Sequence, residues 1–320
     1  MSGRTRVLFV GGLGRSGSTL LELILAQRPD VCAVGEVVHL WERALGGDER
    51  CGCGERFTAC DFWQRVGDRA FGGWAAVDRD EVLALKAEVD RTRHIPRLAR
   101  GELPAEQLAA VRRYADLYTA IYRAATEITG AEVVVDSSKH ASLAFALRWA
   151  PDLDLRVVHL VRDSRAVAYS WAKQVRRPEV VDAEAYMPTF SPFRVSGLWT
   201  AQNAAFDLLA SRASVFRLRY EDFTADPAGT VRGLREFVGL PDDPEAVRIL
   251  TDPPAAPVRA HSIAGNPLRF SAGPLRVRRD EAWRTRLPRR SRAVVSLATL
   301  PFRLRYGYLG RRGSDSVETS

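Results

Sequence analysis

Lysine is scarce in this 320-residue chain: its 47 basic residues include only Lys86, Lys139 and Lys173, the others being arginines. Any anion the protein holds is therefore met mainly by guanidinium forks, which match phosphate geometry better than ammonium point charges do. No stretch approaches about eighteen uninterrupted apolar residues, so no integral membrane segment is expected. The apolar run near the N-terminus is too short and too glycine-broken for a signal peptide, and a cytoplasmic protein is the expectation. Four cysteines do not make a disulfide framework in that compartment. Three of them, Cys51, Cys53 and Cys60, fall together in CGCGERFTAC, with Cys32 upstream. Their spacing is not a regular zinc pattern. Three thiolates and a histidine such as His39 could in principle hold a metal, but the expectation is no metal, with reduced thiols in a packed loop or one local bridge.

What the chain does have is enough apolar content, 46%, to bury a full core. The pattern predicts one domain over 1–320, an α/β fold with a doubly wound, mainly parallel sheet of P-loop type, flanking helices and a helical insert. Residues 7–10, 133–135 ending at Asp136, 155–161 ending at Arg162, and 215–220 read as strands. Residues 164–176, with Ser164 as N-cap, 195–212 and 227–238 read as helices. The stretch 40–130 carries periodic apolar positions broken by Gly72, Gly73, Pro96 and Gly101, which predicts a helical insert or cover. Residues 260–320 hold thirteen arginines and no lysine against Asp280, Glu281, Asp315 and Glu318, a surplus that accounts for the whole chain's net charge of +8 and leaves the remainder nearly neutral. With little aromatic interleaving and no nucleic-acid motif, part of this block is expected to line an anionic cofactor pocket, and no nucleic-acid partner is expected.

The most informative segment is the turn GLGRSGST after the first strand. Gly12, Gly14 and Gly17 allow positive φ and close approach, so backbone N–H groups can converge on an oxyanion at a helix N-terminus. Ser16, Ser18 and Thr19 add hydroxyl donors, and Arg15 adds charge. Against GxxxxGK[ST] the window keeps both glycines and the threonine but has Ser18 where the lysine should be, which makes ordinary ATP chemistry doubtful. Ligands of open α/β sheets bind at the carboxyl ends of the strands. The turn, the 136–139 and 162–170 segments and Tyr220 should therefore meet on one edge, where Ser170, two turns into its helix, can reach the same anion as Arg162.

These residues, in this order, resemble the PAPS-dependent sulfotransferases, closest in pattern to the bacterial and tyrosyl-protein type. The resemblance implies that Gly14, Arg15, Ser16, Gly17, Ser18 and Thr19 bind the 5′-phosphosulfate of 3′-phosphoadenosine-5′-phosphosulfate (PAPS). It also implies that Arg162 and Ser170, in VRDSRAVAYS, bind the 3′-phosphate. RYED resembles the family strand whose tyrosine, here Tyr220, lies near the nucleotide. HSIAGNPLRF resembles a C-terminal loop that closes over it, implicating Ser262, Gly265, Asn266 and Arg269 within a closing segment at 260–310. Sulfonate transfer to a hydroxyl acceptor needs no obligatory Mg²⁺, consistent with the missing lysine. Arg15 and Lys139 are candidates to stabilise the transferring group. Glu36 is the candidate base, with a pKa raised by partial burial; His39 is the runner-up and Asp136 a third choice that more readily orients Lys139 or caps a helix. The tyrosyl-protein branch carries its carboxylate one residue later, where this chain has Val37.

Two other readings compete: a P-loop small-molecule kinase or NTPase, with 133–136 as a Walker-B-like strand holding Mg²⁺, and a non-enzymatic anion- or nucleic-acid-binding module built on the arginine-rich C-terminus. The acceptor, whether small molecule, carbohydrate, lipid or peptide, is not legible. Trp41, Trp63, Tyr186, Phe190 and Phe193 are candidates to wall its site.

Overall fold

The structure, a computed structural model, describes residues 3–181 and 184–309. Five strands form one parallel sheet: β1 (Thr5–Gly11), β2 (Val31–Gly35), β3 (Val133–Lys139), β4 (Leu153–Val161) and β5 (Ser214–Arg219), in the order β2-β3-β1-β4-β5. β1 is central because both its faces are apolar. Val7 and Phe9 point to one side and Leu8 and Val10 to the other, the signature of a strand buried in a parallel sheet. The chain leaves β1 for one half of the sheet and later crosses it to build the other, so a crevice opens beyond the carboxyl end of β1.

Helices cover both faces. Val7, Phe9 and Val34 share a core with Trp41, Trp63, Tyr114, Tyr118 and Phe145, so the 40–130 segment forms a layer of the fold. Its long helix Ala105–Thr129 buries Val111, Tyr114, Ala115, Tyr118, Ile121, Tyr122 and Ala125 along one stripe. On the other face Leu8 and Val10 meet Leu21, Ile24, Phe223, Val231 and Leu234, from the helices Ser18–Leu25, Tyr220–Ala225 and Pro227–Phe237. No helix among the described residues is long and apolar enough to cross a membrane.

Local expectations change in four places. β2 is a full strand, although VCAVG lacks the bulky β-branched run that marks the others. β3 continues through Lys139. The helix after Arg162 stops at Trp171, and its N-cap is Asp163, whose carboxylate accepts from Arg165 N at 2.8 Å; the Ser164 hydroxyl turns to Thr299 instead. The edge of β2 is covered from afar: Ile263 N donates to Val34 O at 2.9 Å and Glu36 N donates to Ile263 O at 2.7 Å. Of the arginine-rich block, Arg311, Arg312, Asp315 and Glu318 lie outside the described residues.

Candidate active site

The turn after β1 is tightly wound. Arg15 and Gly17 both take left-handed backbone, at φ 75° and 99°, and a Cβ at position 17 would sit 2.6 Å from the Tyr220 ring. Only glycine satisfies both conditions there. The helix Ser18–Leu25 starts with no side-chain cap, so its first N–H groups are left for an outside acceptor.

A cavity of about 490 Å³ opens over this turn. Of the residues singled out in the sequence, Gly14, Arg15, Gly17, Ser18, Thr19, Glu36, His39, Lys139, Arg162, Ser170, Tyr220, Gly265 and Asn266 line it. Three do not. Ser16 is buried and donates its hydroxyl to Leu13 O at 2.7 Å. Ser262 is buried beneath Gly52. Arg269 is buried with its guanidinium donating to the carbonyls of Ser262 and Arg50, so it ties the 262–270 segment to the loop at Arg50.

Arg162 directly follows β4 and is nearly buried. Its guanidinium lies 4.3 Å from the centroid of the Tyr220 ring and donates to Arg15 O (3.1 Å) and to Asp280 Oδ2 (3.2 Å). That carboxylate comes from the C-terminal segment and not from the adjacent Asp163, which pairs with Arg165. Burial pushes the Asp280 pKa up, yet the Ala282 N–H and Arg162 outweigh it, so Asp280 stays below the usual range. Arg162 Nε is buried without a partner, a vacancy an incoming anion would relieve. Arg15 lies against Trp171, 5.3 Å from its ring centroid, beside Met187.

On the opposite wall Lys139, at φ 69°, donates to Glu36 and to Ser137 O. Nε2 of His39 lies 3.6 Å from the other Glu36 oxygen. Burial pushes the Glu36 pKa up, but the charge and hydrogen bond of Lys139 overcome it, so Glu36 sits below its ordinary value, the reverse of the sequence expectation. Burial drives His39 down to about 3, leaving the imidazole neutral.

Two buried carboxyls behind the wall were read differently or missed. Asp136 is unexposed; it accepts from Tyr122 and from Ser138 N (2.7 Å), and burial raises it to about 6. It neither caps the next helix nor lines the cavity. Glu22, which sequence reasoning passed over, accepts Gly35 N at 2.7 Å and the Ser137 hydroxyl at 2.5 Å, tying the ends of β2 and β3 together directly behind Glu36 and Lys139. A glutamate inside the apolar stripe of a short helix was its only signal.

Arg43 and Arg177 also line the cavity and are held by Glu49 and by the fully buried Glu179. The expected aromatic wall is different. Trp41 and Trp63 are core residues donating to Tyr118 Oη and His261 O, Tyr186 and Phe193 are exposed, and Phe190 packs on Trp171 and Arg194. The apolar lining is Leu20, Trp171, Met187, Pro188 and Leu268.

Residues 8–244 match the sequence profile of the sulfotransferase family. Among solved structures, the chain is similar to the sulfotransferase domain from the Synechococcus PCC 7002 olefin synthase, at 19% identity and a TM-score of 0.53, covering 97% of this chain and 98% of that one. A sulfotransferase domain from the curacin biosynthetic pathway (17% identity, TM-score 0.47, 93% and 97% covered) and a sulfotransferase from Alicyclobacillus acidocaldarius (15%, 0.39, 94% and 97%) are more distant. No curated protein sequence matches. The profile runs from β1 through the anion turn, Glu36, Lys139, Arg162 and Tyr220, and the fold is shared end to end with a sulfotransferase domain: this chain belongs to the sulfotransferase family.

Proposed function

We propose that this protein transfers a sulfonate from PAPS to a hydroxyl group of an acceptor by in-line displacement, with adenosine 3′,5′-bisphosphate as the second product. The observation that carries this reading is the meeting, in one cavity, of the turn at 14–19, the Arg162–Ser170 segment and the Glu36–Lys139 pair. The donor fits the residues present: Arg15, Lys139 and Arg162 supply three cations, and the vacant Nε of Arg162 supplies an unmet buried donor. Bound there, it would supply an activated sulfonate on a phosphate leaving group.

The turn at 14–19 would hold the 5′ end through backbone N–H groups and the hydroxyls of Ser18 and Thr19, with Arg162 and Ser170 at the 3′-phosphate. Tyr220, Gly265 and Asn266 would border the nucleotide. Arg15 and Lys139 would neutralise charge on the transferring group and the bridging oxygen. Glu36 would take the acceptor's proton. In the free protein Lys139 holds Glu36 ionised; an anion competing for the ammonium removes that support and raises the proton affinity of the carboxylate when a base is required. Leu20, Trp171, Met187, Pro188 and Leu268 give the acceptor side an apolar wall.

The test is incubation with PAPS and a panel of hydroxylated small molecules, carbohydrates, lipids and peptides in Mg²⁺-free buffer. Gain of one sulfonate by an acceptor, read by mass, supports the reading. Metal-dependent phosphorylation from ATP in its place, or failure to bind the bisphosphate product, overturns it.

A further inference from the structure

The three clustered cysteines, which the transfer chemistry does not use, meet a histidine from the far end of the chain. Cys51, Cys53, Cys60 and His261 bring their ligand atoms within 4.8 Å of one another. The histidine is not His39, which faces Glu36 in the cavity, but a residue 201 positions beyond Cys60. Cys53 Sγ and Cys60 Sγ are 3.7 Å apart, and His261 Nδ1 lies 3.3 Å from Cys60 Sγ and 3.8 Å from Cys51 Sγ. All four cysteines of the chain are free. A tetrahedral ion with metal–sulfur bonds of about 2.3 Å and a metal–nitrogen bond of about 2.0 Å separates its ligands by about 3.8 Å (S to S) and about 3.5 Å (S to N), so the cluster already has the dimensions of such a site.

The surroundings favour a closed site. Cys51 and Cys60 are essentially unexposed. The imidazole is stacked on Phe62, with ring centroids 4.7 Å apart, and its backbone carbonyl accepts from Trp63 Nε1 at 2.8 Å, which fixes the residue with Nδ1 toward the sulfurs. Gly54 N donates to Cys51 O at 2.9 Å, closing the tight turn that points Cys51 and Cys53 the same way.

We propose that Cys51, Cys53, Cys60 and His261 form a structural zinc site that clips the 51–60 loop to the closing segment. Three thiolates and one imidazole with no open position suit Zn²⁺ over harder ions. The clip acts on the cavity through the chain that follows His261. Gly52 N donates to Ser262 O at 3.0 Å, Ile263 pairs with β2, and Gly265 and Asn266 reach the lining beside Glu36. This proposal revises the expectation of no metal, and it stands whether or not PAPS is the donor.

The test is elemental analysis of the full chain prepared from zinc-supplemented cells without a polyhistidine tag. About one zinc per chain is expected, lost in Cys60→Ser and in His261→Gln and retained in Cys32→Ser, which alters a β2 cysteine outside the cluster. Because the ligand variants can fail to fold, metal-stripped wild-type protein is also titrated with Co²⁺. Intense tetrahedral visible bands with thiolate charge transfer support the site. Absence of stoichiometric zinc, an octahedral cobalt spectrum, or a Cys53–Cys60 disulfide in freshly purified protein overturns it.

Discussion

Replacing Glu22 with glutamine tests how the reactive wall is held, and its effect is a curve over pH. The Glu22 carboxyl accepts the N–H of Gly35, immediately before Glu36, and the hydroxyl of Ser137, two residues before Lys139. Burial raises its pKa from 4.5 to about 7, against opposition from Ser137, Lys139 and Gly35. Between those two values the folded chain binds more protons than the unfolded chain. The stability owed to the protonated carboxyl is therefore fully present below pH 4.5 and is lost as pH rises through 7, by about 3 kcal/mol when ionisation is complete. Glutamine has the same shape, still accepts from Gly35 and can donate to Ser137, but it does not titrate. In urea denaturation between pH 5 and 8, Glu22→Gln should gain on the wild type by about 2 to 3 kcal/mol, most of it before pH 7. A difference flat to within about 0.5 kcal/mol would refute the buried, protonated clamp.

Arg162→Ala removes the guanidinium from a nearly buried site and leaves Asp280 facing any bound anion. Affinity for adenosine 3′,5′-bisphosphate should fall by about 3 kcal/mol, roughly 100-fold, with Arg162→Lys recovering part; unchanged calorimetric affinity in a folded variant removes Arg162 from the site. Asp280→Asn should act oppositely, tightening the bisphosphate by about threefold to tenfold, the modest size reflecting a half-exposed, screened carboxylate; weaker binding would contradict the competition. Glu36→Gln should lower kcat by about 10² to 10⁴ while leaving bisphosphate affinity within about twofold, and His39→Gln should do much less. The opposite ranking would transfer the base to His39. Since Glu36 sits below its ordinary pKa, the acid limb of kcat/KM for the free enzyme should fall below the usual glutamate range, and a limb near neutrality would contradict that ionisation.

The parts of the site legible in the sequence are those whose chemistry is local. The anion turn announces itself because strand, glycines, hydroxyls and helix are contiguous, and Arg162 and Ser170 because a buried strand ends in an arginine one helix away from a serine. Sheet order, by contrast, rests on many weak apolar runs, and β2 carries little strand signal because three of its five residues are alanine, cysteine and glycine. Arg269 was misassigned because an arginine in a resembling motif carries no mark of its partners, which are backbone carbonyls of Arg50 and Ser262. Asp280 was missed for the same reason, its partner Arg162 being more than a hundred residues away, and Arg43 and Arg177 because no local motif marks them as cavity residues. The cysteines paired with the wrong histidine because spacing along the chain says nothing about a ligand two hundred residues away.

The most direct test of the central claim is a calorimetric titration of the full chain in Mg²⁺-free buffer with adenosine 3′,5′-bisphosphate and, in parallel, adenosine 5′-monophosphate. If the turn at 14–19 and the Arg162–Ser170 segment hold opposite ends of one nucleotide, the bisphosphate binds at a single site and the monophosphate, without its 3′-phosphate, binds at least about tenfold more weakly. Equal affinities, or binding that requires Mg²⁺, would contradict the account.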